Sequence, residues 1–366
     1  MPENRGSIIT FFSTKGGVGK TTILANAAIA LARLGKRVAI LDCDLQFGDM
    51  AIMFKLCPER TIVNLVEEPS VAMNAAIREK LGEQSAPSEH SEQRQEVPTE
   101  IPTVLDVDEH ERVELRWTPD ILKGYLCRHE ESGVDLLLSP SRPEYAEIVQ
   151  VEHVEEALRL LCELYDYVLV DTTPMFRNIE LAILDVSDRI IVPVTVNLSA
   201  IKDVKLCLDL LNNLNYTNDK IALVVNRSRN VPVGGLSIQD IRDGLMITDP
   251  SDAAIEAARH VITAPDLTDD EALAIIKNAR AGARPRPRDI LAEVPLEEDA
   301  LVTAENRGRP YMLDPANSIT ALGQAYVKIA KYIASPTSTQ QPAHTPHTNP
   351  GVLESLIGWL RSKMPA

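Results

Sequence analysis

Residues 8–22 constrain the fold of this chain more than any other segment. The β-prone run Ile8–Phe12 leads into the polar, glycine-rich stretch Ser13–Gly19, and a helical pattern follows from Thr22. Glycine adopts backbone conformations that other residues avoid, so a strand can turn sharply into a helix there. A strand, a glycine-rich turn and a helix N-terminus predict a loop whose backbone N–H groups point towards one anion.

Short apolar runs alternate with helical patterns along much of the chain. The predicted strands are Ile8–Phe12, Arg37–Leu41, Val134–Leu138, Tyr167–Val170, Ile190–Val196 and Ile221–Val225. The predicted helices are Thr22–Leu34, Val151–Leu164 and Ile201–Leu214. Continuous apolar runs predict strands that are buried on both faces, and their alternation with helices predicts β-α units. The sequence therefore predicts an α/β domain, doubly wound around a mostly parallel sheet.

Charge and cysteine content limit the partners and the compartment. The formal net charge is −16. Because affinity for DNA comes from neutralising its phosphates with Lys and Arg, we do not expect DNA as a partner. The cysteines are odd in number and include no C-x-x-C, which predicts reduced thiols in a cytoplasmic protein rather than disulfides or a metal site. They are Cys43, Cys57, Cys127, Cys162 and Cys207.

Two stretches interrupt the alternation of strands and helices. Residues 82–116 carry ten acidic residues against three arginines, which predicts a mobile acidic loop. Residues 247–288 form a second insertion. We assign both insertions to one domain over residues 1–334. A Ser/Thr/Pro/Gln linker over 335–350 and an amphipathic C-terminal helix over 351–366 follow it.

The glycine-rich loop is followed by side chains that suit a nucleotide phosphate and its metal. Lys20 can reach the β- and γ-phosphates, and the Thr21 hydroxyl can bind Mg²⁺. Asp42 and Asp44 follow the second predicted strand, and ligands bind at the carboxyl ends of parallel strands. Asp171 ends a later apolar strand and is expected to hold Mg²⁺, with Asp42 supporting the metal's shell and Asp44 holding an attacking water. The alternative is a plain glycine turn beside acids that merely end strands.

The loop resembles one specific variant of a phosphate-binding motif. Thr14 stands where the generic motif has its first glycine, and a second lysine, Lys15, precedes Gly16, which gives K-G-G-x-G-K-T-T. This form is similar to the deviant Walker A of the MinD and ParA family of ATPases, of which nitrogenase iron protein is a relative. The resemblance implies a P-loop NTPase fold, ATP and Mg²⁺ as ligands, and a homodimer with ATP in which Lys15 touches the nucleotide of the partner subunit.

The resemblance also assigns individual residues. The predicted catalytic residues are Lys15, Lys20 and Asp44. The loop residues expected to bind nucleotide are Gly16, Gly17, Val18, Gly19, Lys20, Thr21 and Thr22. Asn226 and Arg227 match the family's N-R motif, whose Asn contacts adenine, although a turn-forming Asn is the alternative. Residues 293–310 resemble a motif near the base and ribose, which assigns Pro295 and Asp299 despite an extra acid. The guanine-reading N-K-x-D is missing from the sequence, so ATP is expected.

Two further strings point to a branch of the family. Asp44–Asp49 and Ser139–Glu147 are similar to motifs of the CpaE/TadZ branch, ATPases that localise pilus-assembly machinery. This implies an ATPase that hydrolyses ATP to ADP and phosphate and positions a pilus or secretion machine on the cytoplasmic face of the membrane. A MinD-like division-site ATPase or a ParA-like chromosome or plasmid partition ATPase is the alternative. A metabolic or metal-delivery ATPase is a third, and the lack of a cysteine pair argues against cluster delivery.

The C-terminal segment predicts how such a protein reaches the membrane. One side of its helical wheel carries Val352, Leu353, Leu356, Ile357, Trp359, Leu360 and Met364. A short amphipathic helix with a Trp, attached through a flexible linker, suits a membrane interface, so residues 352–364 predict peripheral membrane binding. Two copies in an ATP dimer would bind roughly 10²-fold more tightly than one. The alternative is a helix that packs on its own domain or in a groove of a partner.

Overall fold

The computed structural model describes residues 5–67, 117–214, 216–228, 236–245 and 290–336. The acidic insertion 82–116, the insertion 247–288 and the C-terminal helix 351–366, all predicted from the sequence, lie outside these ranges. In the described part of the chain, no helix is long and apolar enough to span a membrane.

Eight strands in the described ranges form one sheet. They are β1 (Ser7–Phe11), β2 (Val38–Asp42), β3 (Cys127–His129), β4 (Val134–Leu137), β5 (Tyr167–Asp171), β6 (Arg189–Thr195), β7 (Ile221–Ser228) and β8 (Ile290–Pro295). Their order across the sheet is β3-β4-β2-β5-β1-β6-β7-β8. Neighbours pair in parallel, except that β3 runs antiparallel to β4. The predicted fold class, an α/β domain with a mostly parallel sheet, is confirmed.

Helices cover both faces of the sheet. They are α1 (Lys20–Arg33), α2 (Met50–Met53), α3 (Pro119–Lys123), α4 (Val151–Leu164), α5 (Asn178–Val186), α6 (Leu198–Asn213), α7 (Ile238–Gly244), α8 (Glu298–Asn306) and α9 (Ala321–Ala334). Ile9 and Phe11 of β1 join the core beneath α1 and α9, whereas Ile8 joins the core on the opposite face, beneath α4. Both faces of β1 are therefore buried, which is why the strand is a continuous apolar run.

Local pattern explains which elements the sequence predicts and which it does not. In α4, Val154, Leu158 and Leu161 are buried at helical spacing, and the element has the predicted bounds. The sequence pattern does not predict β3 and β8. β3 has only three residues and no fully buried side chain, and β8 is an edge strand whose pairing with β7 is irregular and which ends in proline.

Strand register determines where a ligand can bind. Phe11, Asp42 and Asp171 are the last residues of β1, β2 and β5, and Asp171 pairs with each of the other two. The chain moves from β1 to β2 and β4 on one side, and later to β6, β7 and β8 on the other. Such a reversal opens a crevice at the carboxyl ends of the strands. The glycine-rich loop lies at this edge.

Arg189, the first residue of β6, fixes the opposite edge. Its buried guanidinium donates hydrogen bonds to the backbone oxygens of Tyr332, Ser335 and Pro336. The same group lies 4.3 Å from the centre of the Tyr332 ring. The end of α9 is therefore held at the edge of the sheet that lies away from the glycine-rich loop.

Replacing Arg189 with Ala is expected to lower the free energy of unfolding by about 2–4 kcal/mol, because several hydrogen bonds to a charged group and a stacking contact are lost together. Arg159→Ala is the matched control. Its ion pairs with Glu156 and Glu163 lie on the surface, where the Arg159 side chain is 50% exposed, so the loss should stay below about 1 kcal/mol. Urea unfolding followed by circular dichroism measures both values, and equal losses would contradict the role given to Arg189.

Candidate functional site

The glycine-rich loop joins β1 to α1 and depends on glycine at two positions. Gly17 and Gly19 have φ angles of 71° and 91°, in the left-handed region. A Cβ atom on Gly19 would lie 2.3 Å from Nδ2 of Asn226, whereas Gly16 and Gly17 face open space. The backbone at residues 16 and 17 can therefore be approached closely by a ligand, while Gly19 packs against the protein.

Asn226 at the carboxyl end of β7 braces this loop. Its Nδ2 donates to the Val18 carbonyl oxygen at 2.8 Å, and its Oδ1 accepts from the Arg227 backbone N–H at 2.9 Å. The side chain is buried, and Arg227 has a φ angle of 55°. The predicted adenine contact of Asn226 stays a prediction. The bracing contact with the loop was not indicated by the sequence.

Thr21 and two carboxylates meet at the ends of the strands. The Thr21 hydroxyl donates to Oδ2 of Asp171 at 2.6 Å. The other oxygen of Asp171, Oδ1, is buried without a hydrogen-bond partner among the described residues. Burial raises the pKa of Asp171 to about 6, against the opposing effects of the Thr21 hydrogen bond and the charge of Lys20. Burial, and then the charge of Asp171, also raises the pKa of Asp42 well above its ordinary value.

Asp42 is held by partners from its own loop and from the next strand. Ser139 donates its hydroxyl to Asp42 Oδ2 at 2.9 Å, and the Asp44 backbone N–H donates to Asp42 Oδ1 at 3.2 Å. Asp44 is half-buried, and its carboxylate accepts from the Phe47 N–H. A Cβ atom on Gly48 would lie 2.0 Å from the Ser139 hydroxyl, so the chain passes very close there. Sequence reasoning did not assign this contact to Ser139, although its position two residues after the end of β4 could have indicated it.

The residues at this edge fit a magnesium ion held together with a phosphate. Carboxylate and hydroxyl oxygens are ligands that Mg²⁺ prefers, and the unpartnered Oδ1 of Asp171 is an acceptor that lacks a donor. In the described ranges, no group of three or more His, Cys, Asp or Glu could enclose a metal ion. Mg²⁺ would therefore take further ligands from phosphate and water, as it commonly does. Lys20 lies close enough for its charge to act on Asp171.

Lys15, the second lysine of the loop, is bound within its own chain. Its Nζ donates to the Ser199 hydroxyl at 3.1 Å and lies 3.7 Å from the Asp203 carboxylate. Both partners lie in the first turns of α6, one turn apart. Sequence reasoning missed both, and no local signal could have found them, because Lys15 and Ser199 are 184 residues apart in the chain.

The remaining predicted residues lie around the same edge. The Thr22 hydroxyl donates to Glu305 Oε1 at 2.7 Å, a contact that was not predicted. Pro295 ends β8 and pairs with Ser228 of β7, which places it near Arg227. Asp299 is exposed in the first turn of α8. The structure thus brings the loop, Asp42, Asp44, Asp171 and the ends of β7 and β8 to one edge of the sheet. The individual ligand contacts stay predictions.

Asp171→Asn is expected to stabilise the metal-free protein at neutral pH. The folded-state pKa of about 6 exceeds the ordinary value of 3.8, so the native protein keeps a proton that the unfolded chain releases. This contribution to stability is fully present below about pH 4 and is lost as the pH rises through about 6. The variant should gain at most about 3 kcal/mol at pH 8.

Urea unfolding with EDTA between pH 5 and pH 8 measures this gain. Asp120→Asn is the matched control, because the Asp120 side chain is 91% exposed and its replacement should change little. A gain that does not grow with pH, or a loss at pH 8, would show that Asp171 is not an unfavourably buried carboxylate.

Comparison with known proteins agrees with this geometry. Residues 9–258 match the family described as "CobQ/CobB/MinD/ParA nucleotide binding domain". The septum site-determining protein MinD of Thermotoga maritima is 24% identical over 223 residues, which span 61% of this chain and 64% of that protein, slightly under two thirds of its length. MinD of Bacillus subtilis is 24% identical over 330 residues, 90% of this chain and 89% of that protein.

A solved structure shows the same fold. It is the septum site-determining protein MinD of Pyrococcus horikoshii complexed with Mg-ADP, with 15% identity and a TM-score of 0.56 over 92% of this chain and 100% of that one. The placement of this chain in the pilus-localising branch stays a prediction. The family match covers well over half of the chain, and this chain therefore belongs to the CobQ/CobB/MinD/ParA family of nucleotide-binding domains.

Proposed function

We propose that this chain is a Mg²⁺-dependent ATPase that dimerises around ATP and positions a pilus or secretion machine on the cytoplasmic face of the membrane. The observation that carries the ATPase part is the meeting of Thr21, Asp171 and Asp42 beside the glycine-rich loop. A buried oxygen of Asp171 that has no partner among the described residues supports a cation there, and open space at Gly16 and Gly17 supports a phosphate.

Each residue of the site has its own part in the proposed hydrolysis of ATP. The loop N–H groups and Lys20 would hold the β- and γ-phosphates, and Thr21 and Asp171 would hold the metal, with Asp42 supporting them. Mg²⁺, when bound, supplies positive charge against the charge that develops on the phosphate oxygens. Asp44 orients the attacking water. Catalysis of this kind rests on positioning and electrostatics.

Lys15 connects nucleotide binding to dimerisation. Its contacts with Ser199 and Asp203 are partly exposed, and such pairs contribute about 1 kcal/mol or less. A phosphate group in a partner subunit can therefore compete with them. When Lys15 crosses to the partner's nucleotide, the first turns of α6 lose this contact, so α6 can report the dimeric state to another protein.

Exposed apolar side chains beside the site support a covering subunit. Phe47 follows Asp44 and is 72% exposed, and Leu198 begins α6 and is 73% exposed. Met175, four residues after Asp171, is 44% exposed. A second subunit that covers this edge of the sheet would remove these apolar side chains from water.

The position of the C-terminal segment supports a membrane anchor. Ser335 and Pro336 are held by Arg189 at the edge of the sheet opposite the nucleotide loop. A chain that leaves the domain there can bind a membrane without covering the nucleotide. Binding of residues 352–364 to the domain itself or to a protein groove remains the alternative.

A division-site ATPase is the second candidate. The match to the septum site-determining protein of Bacillus subtilis spans nearly the whole of both chains and favours it. MinD of Aquifex aeolicus has been solved in complex with MinC, so a protein partner is expected for this candidate as well. A partition ATPase would instead bind DNA, which the net charge of −16 disfavours.

Sedimentation with anionic liposomes tests the proposal. With Mg·ATP the full chain is expected to bind vesicles roughly 10²-fold more tightly than with Mg·ADP, because the dimer presents two anchors. A chain truncated after Pro350 should stay in solution with either nucleotide. Trp359→Glu, on the apolar face of the predicted helix, should abolish binding, whereas Ser355→Glu, on its polar face, is the matched control and should retain most of it.

The other outcomes separate the candidates. If the full chain does not bind vesicles with either nucleotide, the membrane anchor is contradicted and the C-terminal helix is a packing or docking element. Salt-sensitive binding to DNA in Mg·ATP would favour a partition ATPase. Vesicle binding of equal strength in ATP and ADP would contradict the dimer as the switch.

A further inference from the structure

A cleft of about 590 Å³ opens beside the nucleotide site. Three segments line it: Cys43–Gln46 around Asp44, residues 173–180 after Asp171, and residues 146–151 at the start of α4. The third segment shares Ala146 and Glu147 with the string Ser139–Glu147 that the sequence singled out, and the ATPase chemistry uses neither of these two residues. The volume of the cleft is in the range typical of ligand pockets, so the cleft can hold a few side chains.

A buried carboxylate without a full set of partners lies in the wall of this cleft. Glu180, in the first turn of α5, is 3% exposed. Thr173 hydrogen-bonds to its Oε1. Its Oε2 is buried without a hydrogen-bond partner in the described part of the chain. Because a buried acceptor left without a donor is unfavourable, this atom indicates a missing hydrogen-bond donor.

The remaining lining favours a basic side chain with apolar neighbours. Leu45, Val149 and Ile179 supply apolar wall in the same cleft. Glu147 and Arg177 are exposed at the mouth of the cleft. The lining therefore carries two carboxylates, those of Glu147 and Glu180, and one guanidinium, that of Arg177. A guanidinium or ammonium group is the donor that pairs best with a carboxylate.

We propose that this cleft binds a segment of a partner protein that inserts one Arg or Lys side chain, flanked by apolar residues, onto Glu180. A polypeptide is favoured over a free amine because apolar residues line the cleft together with the carboxylate, and a volume of about 590 Å³ leaves room for more than one charged group. The walls are continuous with Asp44 and Asp171, so a bound segment would alter ATP turnover. That coupling, unlike the binding itself, rests on the proposed function.

Methyl NMR of the full chain without nucleotide tests the binding, so failure of the ATPase proposal leaves the result interpretable. The probe is acetyl-Leu-Arg-Leu-amide, and the expected result is saturable shifts of the Leu45, Val149 and Ile179 methyl groups. Acetyl-Leu-citrulline-Leu-amide, which has the same shape without the charge, should bind at least about tenfold more weakly, as should Glu180→Gln protein with the arginine probe.

Two further variants test whether the probe binds in this cleft. Glu144→Gln is the matched control, because Glu144 is an exposed carboxylate two residues before the wall segment 146–151 and does not line the cleft. The variant should bind the probe as the unmodified chain does. Gln46→Trp at the exposed mouth should block binding while the thermal unfolding midpoint stays the same.

Three results would overturn the proposal. They are an absence of shifts, equal affinity for the arginine and citrulline probes, and unchanged affinity in Glu180→Gln protein. Equal affinity for acetyl-arginine-amide and the tripeptide would overturn the assignment to a polypeptide and make the cleft a small-molecule site.

Discussion

Two buried carboxylates, Asp42 and Asp171, lie opposite each other at the ends of neighbouring parallel strands. Burial disfavours the ionised form of both groups, and the charge of Asp171 further disfavours the ionised form of Asp42. One oxygen of Asp171 has no donor among the described residues. Such an arrangement opposes folding unless a cation enters. Thr21 and Lys20 offset part of this effect from the loop side. A ligand that brings Mg²⁺ would therefore stabilise the fold as it binds.

The two ends of the strands carry different groups of residues. The carboxyl edge carries the glycine-rich loop, braced by Asn226 through Val18, and the first turns of α6, held by Lys15. The opposite edge carries Arg189, which fixes the end of α9 and hence the start of the C-terminal segment. The parallel sheet thus links the edge proposed to bind nucleotide to the edge from which the proposed membrane anchor would extend.

Elements with a regular apolar pattern could be predicted from the sequence. The continuous apolar run of β5 and the helical spacing of the buried residues in α4 are both visible in the sequence itself. Asp42 and Asp171 follow from the rule that ligands bind at the carboxyl ends of parallel strands, and Thr21 follows from the pattern of the phosphate-binding loop. Contacts made by long-range packing could not be predicted. The Ser199 partner of Lys15 and the unpartnered oxygen of Glu180 depend on segments that the fold brings together, and nothing local marks them.

The molar mass and phosphate release of the Asp44→Ala chain in Mg·ATP test the central claim most directly. Light scattering on the full chain should give twice the mass of the 40.3 kDa chain in Mg·ATP, and a monomer in Mg·ADP, while no phosphate is released. Asp49→Ala, which removes a neighbouring carboxylate, should still hydrolyse ATP. Hydrolysis by Asp44→Ala at the normal rate, or a monomer in Mg·ATP, would contradict an ATP-closed dimer with Asp44 as the residue that orients water.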